Sequence, residues 1–324
     1  MTRFTCIAGL LALAAASGFP ERAHAQRYRT ATRIDTTVAL GRGADVSLSV
    51  LSGTIIVTTW ERAEARIRAS IEDDGQLEYA FSPNGLRIRT ISDGDADRDA
   101  SDRRRGRRGD DVGDARIEIT VPVGARVDAS AVSGDVSVRG TRAPVEASAV
   151  SGNVTVTDAT QRVSVTSVSG DVVVERVAGD LRVSLVSGNL RLGQLTGDLR
   201  VTSVSSELIL GDVRARTLRV KTVSGDVDFR GSIAPDGTYE FTTHSGDLTL
   251  LVPSNLNATV GLRTYSGELD TDFPLTLRPS AEGQRRGRLM EFTLGSGGRA
   301  RISVETFSGD INLRRADGRG SNRE

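Results

Sequence analysis

The chain has 324 residues, and its 42 Lys and Arg are balanced by 42 Asp and Glu, so the formal net charge is zero. This balance argues against a nucleic-acid-binding protein, and an aromatic content of 4% argues against a sugar-stacking cleft. No apolar run approaches the roughly 20 residues of a membrane-spanning helix, so no transmembrane segment is expected.

Residues 1–25 have the pattern of a secretory signal peptide. Arg3 gives a positive start, an apolar stretch follows over 6–16, and Ala23-His24-Ala25 provides the small side chains of a cleavage site. We therefore expect export to the periplasm or the cell surface and a mature chain that begins at Gln26. Cleavage would remove the single cysteine, so no disulfide is expected.

The region 26–120 is predicted to be an irregular β region that caps one end of the fold. Its apolar residues alternate with polar ones, as in Ala65, Ile67 and Ala69, and this period of two is typical of half-buried strands. Gly53 lies here in a Ser-Gly-Thr sequence that resembles a motif found later in the chain. A repetitive β fold needs such caps because its open edges would otherwise pair with other chains.

The segment 93–114 contains eight Asp and six Arg, and it is predicted to be a disordered charged insertion. Its carboxylates alternate in the manner of a calcium loop, and these weak metal candidates are Asp93, Asp95, Asp97 and Asp99. A calcium loop also needs Gly at its sixth position and Glu at its twelfth, where this chain has Arg98 and Arg104. A solvated loop is therefore favoured, and no metal or other cofactor is expected. The arginine run 103–108 could bind a polyanion, but the neighbouring aspartates screen it.

The region 121–314 repeats one motif, Ser-Gly followed by Asp or Asn and then by alternating apolar residues. The motif returns every 18 residues in the middle of the chain and later at spacings of 19 and 21. We predict that its glycines lie in structural turns, where Gly supplies a positive φ or leaves room for a closely approaching strand. These turn glycines are Gly53, Gly134, Gly152, Gly170, Gly188, Gly225, Gly246, Gly267 and Gly309.

Short strands at this spacing cannot pair as ordinary hairpins. If the chain winds into coils of 18–21 residues, each strand pairs with the same strand one coil later, and apolar columns fill the interior. The sequence therefore predicts an all-β, parallel β-solenoid over 121–314, with a β-sandwich as the alternative. The charged pair Arg314 and Arg315 is expected to end the stack, followed by a disordered tail over 315–324.

Three further expectations follow from this register. The Asp or Asn after each glycine is expected to bond to a nearby main-chain N–H, in preference to calcium, because the Gly-rich calcium repeat does not occur. His244 occupies the position two before glycine, where other coils have valine or an aromatic residue, and it is expected to pack inside. Arg182 and Arg200 are expected to stack on one solvated face, with Arg191 on the other.

The repeated motif and two Val-Pro steps, Val121-Pro122 and Val252-Pro253, resemble a family of bacterial exported β-strand-repeat proteins known as putative adhesins. The resemblance covers residues 30–315. It implies a domain of unknown function with no catalytic motif, so no catalytic residue is assigned.

We expect a non-enzymatic, exported protein that presents a repetitive surface for adhesion or for contact with the cell envelope. Its partner would be a surface or envelope component, either polysaccharide or protein, and not a nucleic acid. The first alternative is a structural scaffold of the envelope that self-associates. A carbohydrate-active β-helix enzyme is less favoured, because the repeat gives no reason to single out a catalytic pair of carboxylates.

Overall fold

The computed structural model describes residues 28–72, 75–91, 113–274, 276–277 and 288–316. Within these ranges the regular secondary structure consists of β-strands, and no helix that could cross a membrane occurs. The predicted signal peptide, the four calcium candidates, the arginine run 103–108 and the tail beyond 316 lie outside the described residues.

The strands follow one another along the chain with short connections. The first group comprises β1 (Arg29–Ala31), β2 (Arg33–Ala39), β3 (Asp45–Trp60), β4 (Glu64–Ile71), β5 (Gln76–Ser82), β6 (Gly85–Ile91), β7 (Ala115–Pro122) and β8 (Arg126–Arg139). The middle group comprises β9 (Val145–Ser151), β10 (Val154–Ala159), β11 (Val163–Ser169), β12 (Val172–Val177), β13 (Leu181–Ser187), β14 (Leu190–Thr196), β15 (Leu199–Ser205) and β16 (Leu208–Ser224). The last group comprises β17 (Val227–Ser245), β18 (Leu248–Val252), β19 (Ala258–Ser266), β20 (Leu269–Thr271), β21 (Thr276–Leu277), β22 (Arg288–Leu294), β23 (Ala300–Ser308) and β24 (Ile311–Arg315).

The coils stack in parallel and form two sheets. The first sheet contains β9, β11, β13, β15 and the second halves of β16 and β17. The second sheet contains β10, β12, β14 and the first halves of β16 and β17. The register is in step with the repeat, since Val163 pairs with Leu181, Leu181 with Leu199 and Leu199 with Leu218. The predicted β-solenoid is thus confirmed, and its parallel pairing excludes the antiparallel β-sandwich.

The interior is filled by columns of apolar side chains, one from each coil. Where the coil lengthens to 21 residues, between Leu218 and Tyr239, aromatic side chains replace Val and Leu. Phe229, Tyr239 and Phe241 are fully buried there, and the Tyr239 hydroxyl donates to the Ala215 carbonyl at 2.6 Å. The larger side chains fill the interior of the wider coil, where an empty volume would lower stability, and the hydrogen bond gives the buried hydroxyl a partner.

The order of the coils in the stack differs from their order in the chain. Strand β3 lies between β8 on one side and β6 and β7 on the other. The coil of β6 and β7 therefore lies outside the coil of β3, although it follows β3 in the chain. At the other end β23 lies between β17 and β19, and β24 lies between β18 and β20. The expectation that every strand pairs with its equivalent one coil later is therefore wrong at both ends.

The expected C-terminal end of the stack is also wrong. Arg314 belongs to an internal coil, and it forms ion pairs with Asp270 at 2.7 Å and Asp272 at 3.0 Å in the coil beyond it. Antiparallel strands cover the actual ends of the first sheet, with β5 and β1 at the start and β22 and β21 at the finish. The second sheet is continued at its start by β4 and β2, also antiparallel.

Candidate functional site

The repeated Ser-Gly motif forms the corner at which each coil passes from the first sheet to the second. Its glycines have φ values between +115° at Gly188 and +155° at Gly134, which side chains rarely adopt. They also approach the preceding coil closely, since a Cβ built on Gly170 would lie 2.2 Å from the carbonyl oxygen of Gly152. The corner therefore imposes two independent requirements for glycine.

Ser206 is the exception in this column, and its surroundings explain why it is accommodated. It does not have the positive φ of its neighbours, and its buried hydroxyl accepts a hydrogen bond of 2.6 Å from the Ser203 hydroxyl. The side chain thus turns inward, into space left by the small inward residue at 203, instead of against the next coil.

The Asp and Asn side chains after the glycines link one coil to the next. The Asn153 main-chain N–H donates to Asp135 Oδ1 at 2.8 Å, and the Asp171 N–H donates to Asn153 Oδ1 at 3.1 Å. The ladder continues through the coil of β23 and β24, which is inserted between β17 and β18 on one side and β19 and β20 on the other and is called the inserted coil below. There the Asp310 N–H donates to Asp247 Oδ1 at 2.8 Å. The partners are thus main-chain N–H groups of the next coil. Across the described ranges no group of three His, Cys, Asp or Glu side chains is placed to hold a metal ion.

The residue two before each glycine is exposed, and these residues form a continuous apolar ridge along the stack. In stack order the ridge comprises Leu51, Val132, Val150, Val168, Val186, Val204, Val223, His244, Phe307 and Tyr265. Its valines are 38% to 51% exposed, whereas the residue before each of them faces the interior. The expectation that His244 and its equivalents pack inside is therefore wrong. The alternation of inward and outward side chains changes phase at the corner itself, after this exposed residue and not before it.

The C-terminal end of the apolar ridge consists of stacked aromatic rings. His244 lies on Phe307 with ring centroids 4.9 Å apart and planes inclined by 13°, and Phe307 contacts Tyr265 at 5.3 Å. This sequence of rings depends on the inserted coil, which places Phe307 between two residues that chain order would have made neighbours. Such close ring pairs stabilise one another and hold the exposed rings in place.

Beside the apolar ridge, the outer face of the first sheet has a column of hydroxyl side chains and then a charged column. Ser184 and Thr202 belong to the hydroxyl column, and Arg182 and Arg200 to the charged column. Arg191 lies on the second sheet, so the predicted separation of the three arginines is confirmed. The first-sheet face therefore offers apolar, hydroxyl and charged groups in parallel lines.

The charged column begins in a groove of about 850 Å³ near the N-terminal coils, lined by Arg87, Asp128, Glu146 and Arg162 among others. One side of Asp128 is exposed, but the groove walls desolvate its carboxyl and raise its pKa. The neighbouring Glu146 carboxylate raises that pKa further, and Arg87 partly offsets both effects. Asp128 pairs in register with Glu146, so two like charges lie on adjacent strands here.

This geometry defines a class of protein, a two-sheet β-solenoid with one repetitive, exposed face. The chain belongs to the family described as Toastrack DUF4097, whose model matches residues 110–314. It is similar to a solved protein described as a putative adhesin from Bacteroides fragilis NCTC 9343, with 12% identity over 89% of this chain and 97% of that one and a TM-score of 0.35. A solved putative cell adhesion protein from Clostridium sporogenes ATCC 15579 has 11% identity over 87% and 99% of the two chains, with a TM-score of 0.18. No curated protein matches the chain.

Proposed function

We propose that this chain is an exported, non-enzymatic, adhesin-like protein that binds a surface component through the apolar ridge and the adjoining first-sheet face. The observation that supports this proposal is the exposure of large apolar side chains in one unbroken line. Isolated surface valines are ordinary, but contiguous apolar patches on soluble proteins commonly mark interaction sites. Nine such side chains, together with the exposed ring of His244, stand at the spacing of parallel strands and give a line about 43 Å long.

The energy available from covering the apolar ridge is enough for binding. Burying a whole valine side chain contributes about 1.5 to 3 kcal/mol, so covering the exposed half contributes about 1 kcal/mol. The six valines would then supply about 6 kcal/mol before the losses of translational and side-chain freedom are subtracted. A weak contact repeated along a line suits binding to an extended partner, whereas catalysis needs one distinctive centre.

Binding of the labelled chain from Gln26 onward to cells and to isolated envelope fractions tests this proposal. We expect saturable binding, weakened about tenfold by V186S/V204S, since both substitutions remove exposed methyl groups from the centre of the ridge. The matched control is V173S/I209S, which likewise replaces two partly exposed β-branched apolar side chains by serine, but on the outer face of the second sheet, and should alter binding less than twofold. Equal loss in both variants, or no saturable binding by the unchanged chain, would contradict the proposal.

Self-association is the alternative, because a second copy could also cover the apolar ridge. Sedimentation of the unchanged chain and V186S/V204S distinguishes the two. Assembly that grows with protein concentration, disappears in the ridge variant and occurs without cell binding would support a scaffold. Export is part of our proposal, and N-terminal sequencing of the protein from its native source should give Gln26 as the first residue.

A further inference from the structure

The charged column of the first-sheet face contains adjacent side chains of the same sign. Arg182 pairs in register with Arg200, and Arg200 pairs with Arg219 on the following strand. The neighbouring hydroxyl column adds Lys221, in register with Thr202. Since adjacent strands lie about 4.8 Å apart, these cations project side by side from the same part of the sheet.

Two members of this group have no anionic partner. Arg182 and Arg200 are exposed, and neither guanidinium group forms a hydrogen bond or an ion pair with any residue in the described parts of the chain. The nearest carboxylates along the same strands have other contacts: Asp180 lies 3.8 Å from Arg162, and Asp198 accepts a main-chain N–H at 2.9 Å. The two guanidinium groups therefore remain available to a ligand.

The other two cations are different, because one carboxylate serves both. Glu240 lies 2.6 Å from Arg219 and 3.6 Å from Lys221. This triad shows how the face is neutralised where an acidic residue occupies the next coil. The same arrangement lacks its acid at Arg182 and Arg200, where like charges in register repel one another.

We propose that a linear, carboxylated polysaccharide lies along the first-sheet face, parallel to the stack, with its carboxylates held by Arg182 and Arg200. Each guanidinium can donate two parallel hydrogen bonds to one carboxylate, and this bound charge would relieve the repulsion between the two arginines. This inference rests on the function proposed above and specifies the chemistry of the partner.

The columns beside the arginines favour a sugar polymer over other polyanions. Ser184 and Thr202 provide hydroxyl groups that can exchange hydrogen bonds with sugar hydroxyls, and Val186 and Val204 provide apolar surface for the C–H faces of sugar rings. An acidic peptide also carries carboxylates, but it brings neither sugar hydroxyls nor the C–H face of a sugar ring to these two columns. A nucleic acid needs a more basic protein than this one, whose net charge is zero.

The test is binding of fluorescent polygalacturonate to the chain from Gln26 onward, which contains every described residue. We expect R182Q/R200Q to bind about tenfold more weakly, and neutral dextran to bind neither protein. The matched control is R191Q/R214Q, which removes two exposed guanidinium groups from strands of the second sheet and should change the affinity less than twofold. Thermal melting should show all variants folded, because each altered side chain is exposed.

Three results would overturn the inference: no binding of polygalacturonate above that of dextran, equal weakening in both double variants, or equally tight binding of poly-L-glutamate. Measuring cell binding of the unchanged chain and of V186S/V204S separates this inference from the proposed function. If cells bind and V186S/V204S weakens that binding while polygalacturonate does not bind, the adhesin-like role stands and the polysaccharide inference fails. If polygalacturonate binds but cells do not, the adhesin-like role fails instead.

Discussion

Replacing one corner glycine should separate two coils of the solenoid. Gly170 has a φ of +134°, and a Cβ there would lie 2.2 Å from the carbonyl oxygen and 2.7 Å from the carbonyl carbon of Gly152. Adopting this backbone with a side chain costs about 1 to 3 kcal/mol. The overlap can be relieved only by moving main chain, which weakens inter-coil hydrogen bonds such as Gly152 N–H to the Ser169 carbonyl at 3.1 Å, each contributing about 1 kcal/mol. We expect Gly170→Val to destabilise the fold by about 3 to 5 kcal/mol.

A second glycine of the same solenoid provides a matched control for this substitution. Gly193 has no positive φ, and a Cβ added there would meet no atom closer than the Glu175 side chain at 4.0 Å. Gly193→Val should therefore change stability by less than about 1 kcal/mol. Urea unfolding followed by circular dichroism measures both variants, with midpoints compared because long repeats need not unfold in a single step. Similar midpoints for the two variants would refute the role assigned to Gly170.

Two other substitutions test single contacts. Asp171→Ala removes the acceptor of the Asn189 main-chain N–H at 3.0 Å and should lower the free energy of unfolding by about 1 to 2 kcal/mol. The control Asp228→Ala, at an exposed position of the second sheet, should have little effect. Equal effects would contradict the role of the Asp and Asn side chains in linking the coils. Asp128 has a raised pKa in the folded state, so its ionised form opposes folding above the unfolded pKa of about 3.9, and this penalty disappears as pH falls below that value. Asp128→Asn should thus raise the melting temperature at pH 7 but not at pH 3, and a gain equal at both values would exclude relief of charge as its cause.

Much of the architecture could be predicted because the repeat length and the alternation of apolar residues are visible without coordinates. The position of the phase change could not be predicted from the alternation. Val168 is followed by Ser169 and Gly170, and this sequence is compatible with either an inward or an exposed valine. Geometry decides between them, because the corner begins after Ser169 and the inward place before it belongs to Ser167.

The order of the coils could not be predicted either, since the motifs around Gly267 and Gly309 are equivalent. Either coil could lie beside the coil that contains Gly246, and the spacing in the chain favours the wrong one. The structure places Gly309 against Gly246 and Gly267 against Gly309. The antiparallel pairing of β22 with β19 continues the first sheet beyond the coil of Gly267, and its antiparallel pattern is not apparent from a parallel repeat.

The inserted coil also has a consequence for how the molecule is built during synthesis. Strands β19 and β20 have no permanent neighbour on their inner side until residues 300–315 have been made, since β23 and β24 fill that place. A chain truncated before residue 300 would leave two unpaired strand edges, one on β17 and β18 and one on β19 and β20. Such edges promote aggregation, so the C-terminal part of the stack is fully paired only after the coil of β23 and β24 has been added.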